Sequence, residues 1–217
     1  IARRHIIAEG ESNTDMAVHA SRAALSAAGI QAADIDLIVV GTTTPDLVFP
    51  NAGTLLQARL ECRGAPAFSL EAACSGFIYA LAIADKFVRS GAARRALVVG
   101  SEVLSRITDY GERSTAILFG DGAGAVVLAP SEEPGIISTH LHADGSYQHL
   151  LYCTGGPARG AAPGNLAPGD YVRMAGSEVF KLAVTLLGRV VDETLAANNL
   201  DRLAIDWLVP HQANFRI

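Results

Sequence analysis

One cysteine of this chain occupies a position that is typical of a nucleophile. Cys74 follows an apolar segment of strand length, residues 67–70, and precedes an apolar helical segment, residues 75–88. A sulfur at a helix N-terminus lies near unpaired backbone N–H groups and the positive end of the helix dipole, which stabilise the thiolate and lower the thiol pKa. The sequence therefore predicts a reactive thiol at Cys74. The alternative is a buried cysteine that acts as a small hydrophobic side chain. Cys62 and Cys153 lack this context, and we interpret them as structural or incidental.

A histidine near the end of the chain is the second candidate. His211 follows residues 207–209, which we predict to be a strand, and a proline. Ligands of α/β sheets bind at the carboxyl ends of strands. A histidine there can donate a hydrogen bond to an oxyanion or exchange a proton near neutral pH. The alternative is a loop histidine whose ring is held by backbone groups.

Two other patterns suggest cofactors, but their contexts do not fit. The glycine-rich residues 120–125 would need a following helix to bind a dinucleotide, whereas an apolar strand-like segment follows. We predict strands at 116–119 and 125–128 joined by a tight Gly-Asp-Gly turn, and no nucleotide cofactor. His140 and His142 alternate along a predicted strand at 136–142 and face the same side, but no third metal ligand is placed beside them. We interpret both as structural.

Composition excludes several classes of protein. Of the 217 residues, 50% are hydrophobic and 18% are charged, which excludes disorder as the main state. The net charge of −5 argues against nucleic-acid binding. No apolar run approaches the roughly 18 residues of a membrane span. Three cysteines without a CxxC pair argue against a disulfide framework or structural zinc, so we expect a cytoplasmic protein.

The elements that must position Cys74 and His211 alternate between helix and strand. A capping pattern at residues 12–15 predicts a helix that ends at Gly29, followed by a strand at 35–40 and a helix at 51–60. A buried strand is predicted at 96–99, and a mobile Gly- and Pro-rich loop at 155–170 precedes a long helix at 177–197. This alternation predicts an α/β fold with a sheet that is covered on both faces.

A weak internal repeat accompanies this alternation. A helix end, a short polar loop and an Ile-Asp strand start occur around Ile35 and again around Ile205, with the same spacing between these features in both places. The repeat indicates two similar halves, and chance similarity between two such units is the alternative. The chain begins at Ile1 without the apolar stretch of a signal peptide. We expect both ends to be cut from a longer protein.

Four motifs in fixed order resemble one known family. They are residues 73–77 (ACSGF), 119–125 (FGDGAGA), 135–145 (GIISTHLHADG) and 207–214 (WLVPHQAN). Together they resemble β-ketoacyl-[acyl-carrier-protein] synthase III, the initiating condensing enzyme of bacterial type II fatty acid synthesis. The resemblance runs through essentially the whole chain. It implies a thiolase-like fold, with two similar halves in a five-layered αβαβα arrangement. Residues 1–130 would form the N-terminal half without its first strand, and residues 131–217 the connecting segment and the start of the second half.

The resemblance also implies an activity. Cys74 would take an acyl group, in the first instance acetyl, from acyl-CoA. Malonyl-[acyl-carrier protein] would then lose carbon dioxide and attack the thioester, with His211 donating to the enolate. The family's third catalytic residue, an Asn, would follow Ile217. No cofactor is implied, and the family is usually a homodimer.

Further residues of this chain match binding positions of the family. The family's arginines near the CoA phosphates and adenine are matched by Arg113 and Arg216. The residues that line its pantetheine channel are matched by Met174, Gly176, Phe180 and Ala183. The positions around its acyl pocket are matched by Thr43, Phe49 and Leu104. Phe49 would reach the acyl pocket from the partner subunit. For each residue taken singly, core packing or a surface charge is the alternative.

Three other functions remain open at this stage. The chain could be a related condensing enzyme for longer acyl chains or secondary metabolites. It could be a non-catalytic scaffold subunit of the same fold, although such a subunit needs neither Cys74 nor His211. A Cys-His hydrolase is the third option, and it would form no carbon–carbon bond.

Overall fold

The chain folds into two compact units. A computed structural model describes residues 3–155 and 170–213. The sheet unit comprises His5–Leu104 and Gly120–Ile136, and the helix unit comprises Ile1–Arg4, Ser105–Phe119 and Ile137–Ile217. Within the described ranges, none of the helices combines the length and apolarity that a membrane span requires.

The first helix, α1 (Asn13–Ala28), begins and ends where the sequence predicts. The Ser12 hydroxyl accepts from the Asp15 N–H at 3.1 Å, and the Asp15 carboxylate accepts from the Ser12 N–H at 3.0 Å. These bonds satisfy two donors that the first helical turn leaves unpaired. The Ser12 hydrogen bonds and the Arg59 guanidinium lower the pKa of Asp15 to about 2. Gly29 ends the helix in the left-handed region, with φ of 66°.

A four-stranded sheet forms the centre of the sheet unit. Its strands are β1 (Leu37–Gly41), β2 (Ala67–Leu70), β3 (Ala96–Val103) and β4 (Asp121–Leu128). The spatial order is β2-β1-β3-β4. The first three strands are parallel, and β4 pairs antiparallel with β3. All five residues of β1 are buried, as the continuous apolar run predicts.

Helices cover both faces of this sheet. Helices α1 and α2 (Ala52–Leu60) pack on the face that carries Ile38, Val40, Leu97 and Val99. Helix α3 (Gly76–Arg89) packs on the opposite face, which carries Leu37, Val39 and Val98. The predicted α/β fold with a covered sheet is therefore confirmed in this unit.

Two glycines let the start of α3 approach the sheet. A Cβ on Gly41 would lie 2.6 Å from the carbonyl carbon of Gly76, closer than side-chain and backbone atoms can approach. A Cβ on Gly100, the register partner of Gly41 in β3, would lie 3.3 Å from the Cβ of Phe77. The first turn of α3 therefore lies directly on the end of β1 and on the neighbouring part of β3.

The predicted strand at 116–119 and its Gly-Asp-Gly turn are wrong. Glu112 caps a helical turn, α4 (Arg113–Ala116), by accepting from the Ser114 N–H at 3.0 Å. Strand β4 then runs straight through the glycine-rich segment, because β3 offers it an antiparallel partner along its whole length.

The helix unit lacks two of the predicted strands. It contains a short antiparallel pair, β5 (Leu151–Tyr152) and β6 (Arg173–Met174), and the long helix α5 (Gly176–Ala197). In the part of the chain that the structure describes, residues 136–142 and 207–209 form no strand. A strand requires a neighbour that pairs its N–H and C=O groups, and Trp207 and Val209 are 86% and 82% exposed. Of the predicted loop at 155–170, residues 156–169 lie outside the described residues.

The internal repeat has a counterpart in backbone geometry. Gly29 and Asn199, which occupy equivalent places in the two copies, have φ of 66° and 53°. The N–H of Ile30 donates to the Leu25 carbonyl, and the N–H of Leu200 donates to the Leu195 carbonyl. A 3-10 turn follows each time, at Ala32–Asp34 and Arg202–Ala204. The correspondence between the two copies thus holds hydrogen bond by hydrogen bond.

Loss of the α1 cap is expected to destabilise the chain. Ser12→Ala removes the acceptor of the Asp15 N–H, which costs about 1 kcal/mol of unfolding free energy. Denaturant titration at neutral pH measures this change. Ser26→Ala, at an exposed position of the same helix, is the matched control and should leave the free energy nearly unchanged.

A side chain at Gly41 is expected to displace α3. Gly41→Ala places a methyl group against the Gly76 backbone, and such overpacking costs about 2 kcal/mol. Denaturant titration is again the measurement. Gly122→Ala is the control, because a Cβ there has no heavy atom within 4 Å. Equal stability of the two variants would contradict the close approach.

Candidate active site

Cys74 lies at the junction between β2 and α3. After β2 ends at Leu70, a 3-10 turn spans Ala73–Ser75, and α3 begins at Gly76. Ala73 has φ of +44°, in the left-handed region that a residue with a Cβ rarely adopts. The chain therefore reverses sharply from strand to helix. Cys74 is exposed at this turn, as a thiol that receives a substrate must be.

The electrostatics of Cys74 differ from the prediction. Burial by the surrounding protein raises the pKa of the thiol, although the residue keeps solvent contact, and the Glu102 carboxylate raises it further. The backbone N–H of Cys74 opposes this shift by hydrogen bonding. The expected lowering of the pKa is therefore wrong in sign, because desolvation, and after it the Glu102 charge, outweigh the hydrogen bond from the backbone N–H.

Two predicted pocket residues lie at the same edge of the sheet as Cys74. Thr43 follows the end of β1 and is exposed, and Leu104 follows β3 directly and is half-buried. The strands β2, β1 and β3 are neighbours and run parallel, so their carboxyl ends share one edge. The structure thus places Cys74, Thr43 and Leu104 together at the carboxyl ends of these three strands.

Phe49 lies in an exposed apolar loop of the same unit. Its side chain is 83% exposed, and the preceding Leu47 and Val48 are 48% and 71% exposed. Three consecutive apolar side chains in solvent are unfavourable unless another surface covers them.

The helix unit holds the residues that match the pantetheine channel. Met174 lies in β6, and a Cβ on Gly176 would lie 3.4 Å from the methyl carbon of Met174. Helix α4, which starts at Arg113, packs against β6. Phe180 and Ala183 are half-buried on α5. The structure therefore groups Arg113, Met174 and Gly176 around the short sheet of this unit.

The histidines have different surroundings. His211 is exposed in an irregular segment, and Arg216 lies outside the described residues. His140 Nδ1 and His142 Nε2 contact the two oxygens of Glu193 at 3.1 and 2.8 Å, and both histidines thus lie on one side, as predicted. Across residues 3–155 and 170–213, no three His, Cys, Asp or Glu side chains form a group that could hold a metal.

Sequence reasoning missed Glu102. It is half-buried and, through its charge, acts on Cys74. The sequence carried a signal for it, because a carboxylate stands two residues after the apolar run 96–100, near the end of a buried strand. A carboxylate that is removed from solvent needs hydrogen-bond donors, so its presence indicates polar groups close to the end of the strand.

The chain is similar in sequence to β-ketoacyl-[acyl-carrier-protein] synthases III. Residues 68–145 match the family model of 3-oxoacyl-[acyl-carrier-protein (ACP)] synthase III. The whole chain is 57% identical over 218 residues to the β-ketoacyl-[acyl-carrier-protein] synthase III of Thiobacillus denitrificans and covers 67% of it. The chain thus spans about two thirds of the length of this curated relative.

Its fold is also similar to solved structures. The 3-oxoacyl-[acyl-carrier-protein] synthase III from Aquifex aeolicus is 42% identical with a TM-score of 0.89, over 98% of this chain and 65% of that one. The priming β-ketosynthase of a polyketide biosynthetic pathway is 37% identical with a TM-score of 0.90, over 98% and 64%. The resemblance drawn from the four motifs and the predicted thiolase-like fold class are confirmed.

The raised pKa predicts a thiol that reacts slowly near neutral pH. Because the thiolate is the nucleophile, the rate of Cys74 alkylation by iodoacetamide should rise with a midpoint above the ordinary thiol value of about 8.5. Peptide mass spectrometry across a pH series measures it, with Cys74→Ser as the blank. A midpoint well below that value would show that the helix N-terminus dominates instead.

Proposed function

Because the chain belongs to the β-ketoacyl-[acyl-carrier-protein] synthase III family, we propose that it loads an acyl group onto Cys74 and condenses it with a malonyl group by decarboxylation. The substrates are acyl-CoA, acetyl-CoA in the first instance, and malonyl-[acyl-carrier protein]. The product is 3-oxoacyl-[acyl-carrier protein], the first intermediate of fatty acid synthesis. The observation that carries the proposal is the exposed Cys74 on the sharp turn between β2 and α3.

In the first step, Cys74 is acylated. Its sulfur, as the thiolate, attacks the carbonyl carbon of the acyl-CoA thioester, and the CoA thiolate leaves and takes up the proton that Cys74 gave up. The turn at Ala73–Ser75 supports this step, because it exposes the sulfur beside backbone N–H groups that can stabilise the oxyanion.

In the second step, a carbon–carbon bond forms. Malonyl-[acyl-carrier protein] loses carbon dioxide, its carbanion attacks the thioester carbon, and the Cys74 thiolate leaves. We assign His211 as the donor that stabilises the negative charge of the enolate oxygen. All of these groups are side chains or substrates, so the proposed reaction needs no cofactor.

The binding residues follow from the family positions. We assign Arg113 and Arg216 to the phosphates and adenine of CoA, since guanidinium groups bind phosphate well. The proximity of Arg113, Met174 and Gly176 around the short sheet supports a pantetheine channel there, with Phe180 and Ala183. Thr43, Leu104 and Phe49 are assigned to the acyl pocket.

A homodimer is part of the proposal. The exposed loop with Leu47, Val48 and Phe49 supports it, since an apolar loop of this kind needs a covering surface. Residues 1–130 are proposed as the N-terminal half and residues 131–217 as the connection and the start of the second half. We further propose a cytoplasmic location, which the free thiols of Cys62, Cys74 and Cys153 support.

A priming condensing enzyme of secondary metabolism is the second candidate. The TM-score of 0.90 with the polyketide priming β-ketosynthase favours it as strongly as the fold favours the first. The two candidates share the chemistry at Cys74 and differ in the acyl group that the pocket accepts. A series of acyl-CoA donors of increasing chain length therefore distinguishes them.

Acylation of Cys74 by acetyl-CoA is the decisive test. We expect peptide mass spectrometry to find the acetyl group on Cys74 and to find it lost in Cys74→Ser. Cys153→Ser is the matched control, because Cys153 is also exposed, and acylation should stay within about twofold of the unmodified chain. Hydrolysis of acetyl-CoA without a stable acyl-cysteine would support a hydrolase. An unreactive Cys74 towards every donor would support a scaffold role and overturn the proposal.

A further inference from the structure

Glu102 lies beside Thr43 because of the strand register. The parallel pairing of β1 with β3 places Gly41 opposite Gly100. Thr43 and Glu102 each come two residues later, and side chains alternate along a strand. Glu102, still within β3, therefore lies on the face on which Gly41 and Gly100 contact the start of α3, and Thr43, in the loop just after β1, lies within hydrogen-bond distance of it.

The Glu102 carboxylate binds this segment through several hydrogen bonds. One oxygen accepts from the Thr43 N–H at 2.7 Å and the Thr43 hydroxyl at 3.1 Å. The other accepts from the same hydroxyl at 3.1 Å and from the Thr44 hydroxyl at 2.5 Å. The Thr44 hydroxyl in turn accepts from the Val103 N–H at 2.8 Å. Residues 43–44 are thereby tied to the end of β3.

The other side of this segment is tied to α1. The Asn13 side-chain amide donates to the Thr44 carbonyl at 2.7 Å and to the Thr42 hydroxyl at 3.0 Å. Asp46 accepts from the N–H groups of Asn13 and Thr14 at 2.8 and 2.9 Å. These bonds hold Thr42 and Thr44, and the bonds from Glu102 hold Thr43, the residue assigned to the acyl pocket.

Placing a carboxylate at this position has a free-energy cost, which two effects on pKa values show. Burial raises the pKa of Glu102, since desolvation disfavours a charged carboxylate, and the threonine hydrogen bonds offset this only in part. The same charge also disfavours the thiolate of Cys74. A glutamine would keep most of the shape without either penalty.

We propose that Glu102 is the positioning residue of the acyl pocket: its carboxylate fixes Thr43 and Thr44 at the strand end beside Cys74 and thereby limits the length of the acyl group accepted. The inference rests on the proposed function, because it assumes that Cys74 receives the acyl group. In this proposal Glu102 does not contact the acyl group itself, and it holds in place the residues that form the wall of the acyl pocket.

The first test is independent of activity. Hydrogen exchange at the Thr43 amide should accelerate by about tenfold or more in Glu102→Ala, the effect of losing a hydrogen bond to a charged group. Glu102→Gln should give a smaller acceleration, because its amide oxygen still accepts from that N–H. Glu71→Gln, an exposed carboxylate three residues before Cys74, is the matched control and should change nothing. Unchanged exchange in Glu102→Ala would overturn the proposal.

The second test measures acyl selectivity. The ratio of kcat/KM for hexanoyl-CoA to that for acetyl-CoA in Cys74 acylation should rise about tenfold in Glu102→Ala and stay within about twofold in Glu102→Gln and Glu71→Gln. A variant that is merely less stable would lower both rates and leave their ratio unchanged, which would overturn the proposal.

The thiol supplies a third readout. In both Glu102 variants the pH midpoint of Cys74 alkylation should fall, because the negative charge is gone, and in Glu71→Gln it should not. An unmoved midpoint in the Glu102 variants would contradict the proximity on which the proposal stands. If no acyl-CoA acylates the unmodified chain, the proposed function fails. The hydrogen-exchange and alkylation results still test the contacts of Glu102 in that case, so the two failures can be told apart.

Discussion

The position of Cys74 depends on a contact between two backbones. Gly41 at the end of β1 lies so close to the backbone of Gly76 at the start of α3 that a Cβ on Gly41 would lie 2.6 Å from the Gly76 carbonyl carbon. Ala80 and Ala84, the next sheet-facing residues of α3, are fully buried and also small. The helix therefore lies close to the sheet along its length, and this close packing restricts the position of the turn that precedes it. Ala73, in the turn before this helix, has a left-handed φ of +44°, which is strained for a residue with a Cβ.

The sheet changes character along its strands. Its middle consists of valine, leucine and isoleucine side chains that are 0–1% exposed, including Ile38, Val39 and Val98. Beyond Gly41 and Gly100, the loop after β1 carries threonines and the end of β3 carries a glutamate, and hydrogen bonds between them replace hydrophobic contacts. The apolar part supplies the stability, at roughly 25 cal/mol per Å² of buried surface. The polar part fixes individual side chains, because hydrogen bonds have direction and hydrophobic contacts do not. The candidate active site lies where the apolar part of the sheet ends and the polar part begins.

Local signals could be predicted from the sequence, and signals that need a partner could not. Ser12, Asp15 and Gly29 determine the ends of α1 through bonds within a few residues, and the bounds of β2 agree with the prediction residue for residue. The strands predicted at 136–142 and 207–209 needed neighbours that no local pattern reveals. The hairpin at the glycine-rich segment failed for the converse reason, since β3 provides a long partner from elsewhere in the chain.

The site shows the same division. The helix start after Cys74 is local and was predicted, whereas the sign of its pKa shift depends on Glu102, which lies on a different strand and far along the sequence. Thr43 and Leu104 were assigned by resemblance, and the strand order now gives a physical reason for their proximity to Cys74. The roles of His211 and Arg216 remain assignments by family position, and Arg216 lies outside the described residues.

The antiparallel strand β4 has a consequence for synthesis on the ribosome. The edge of β3 is complete at Val103, but its partner is not complete until Leu128 has been added. At about 5–20 residues per second, the growing chain carries that apolar edge unpaired for roughly 1–5 seconds. Unpaired strand edges attract other chains. During that interval the exposed edge of β3 is open to pairing with other chains.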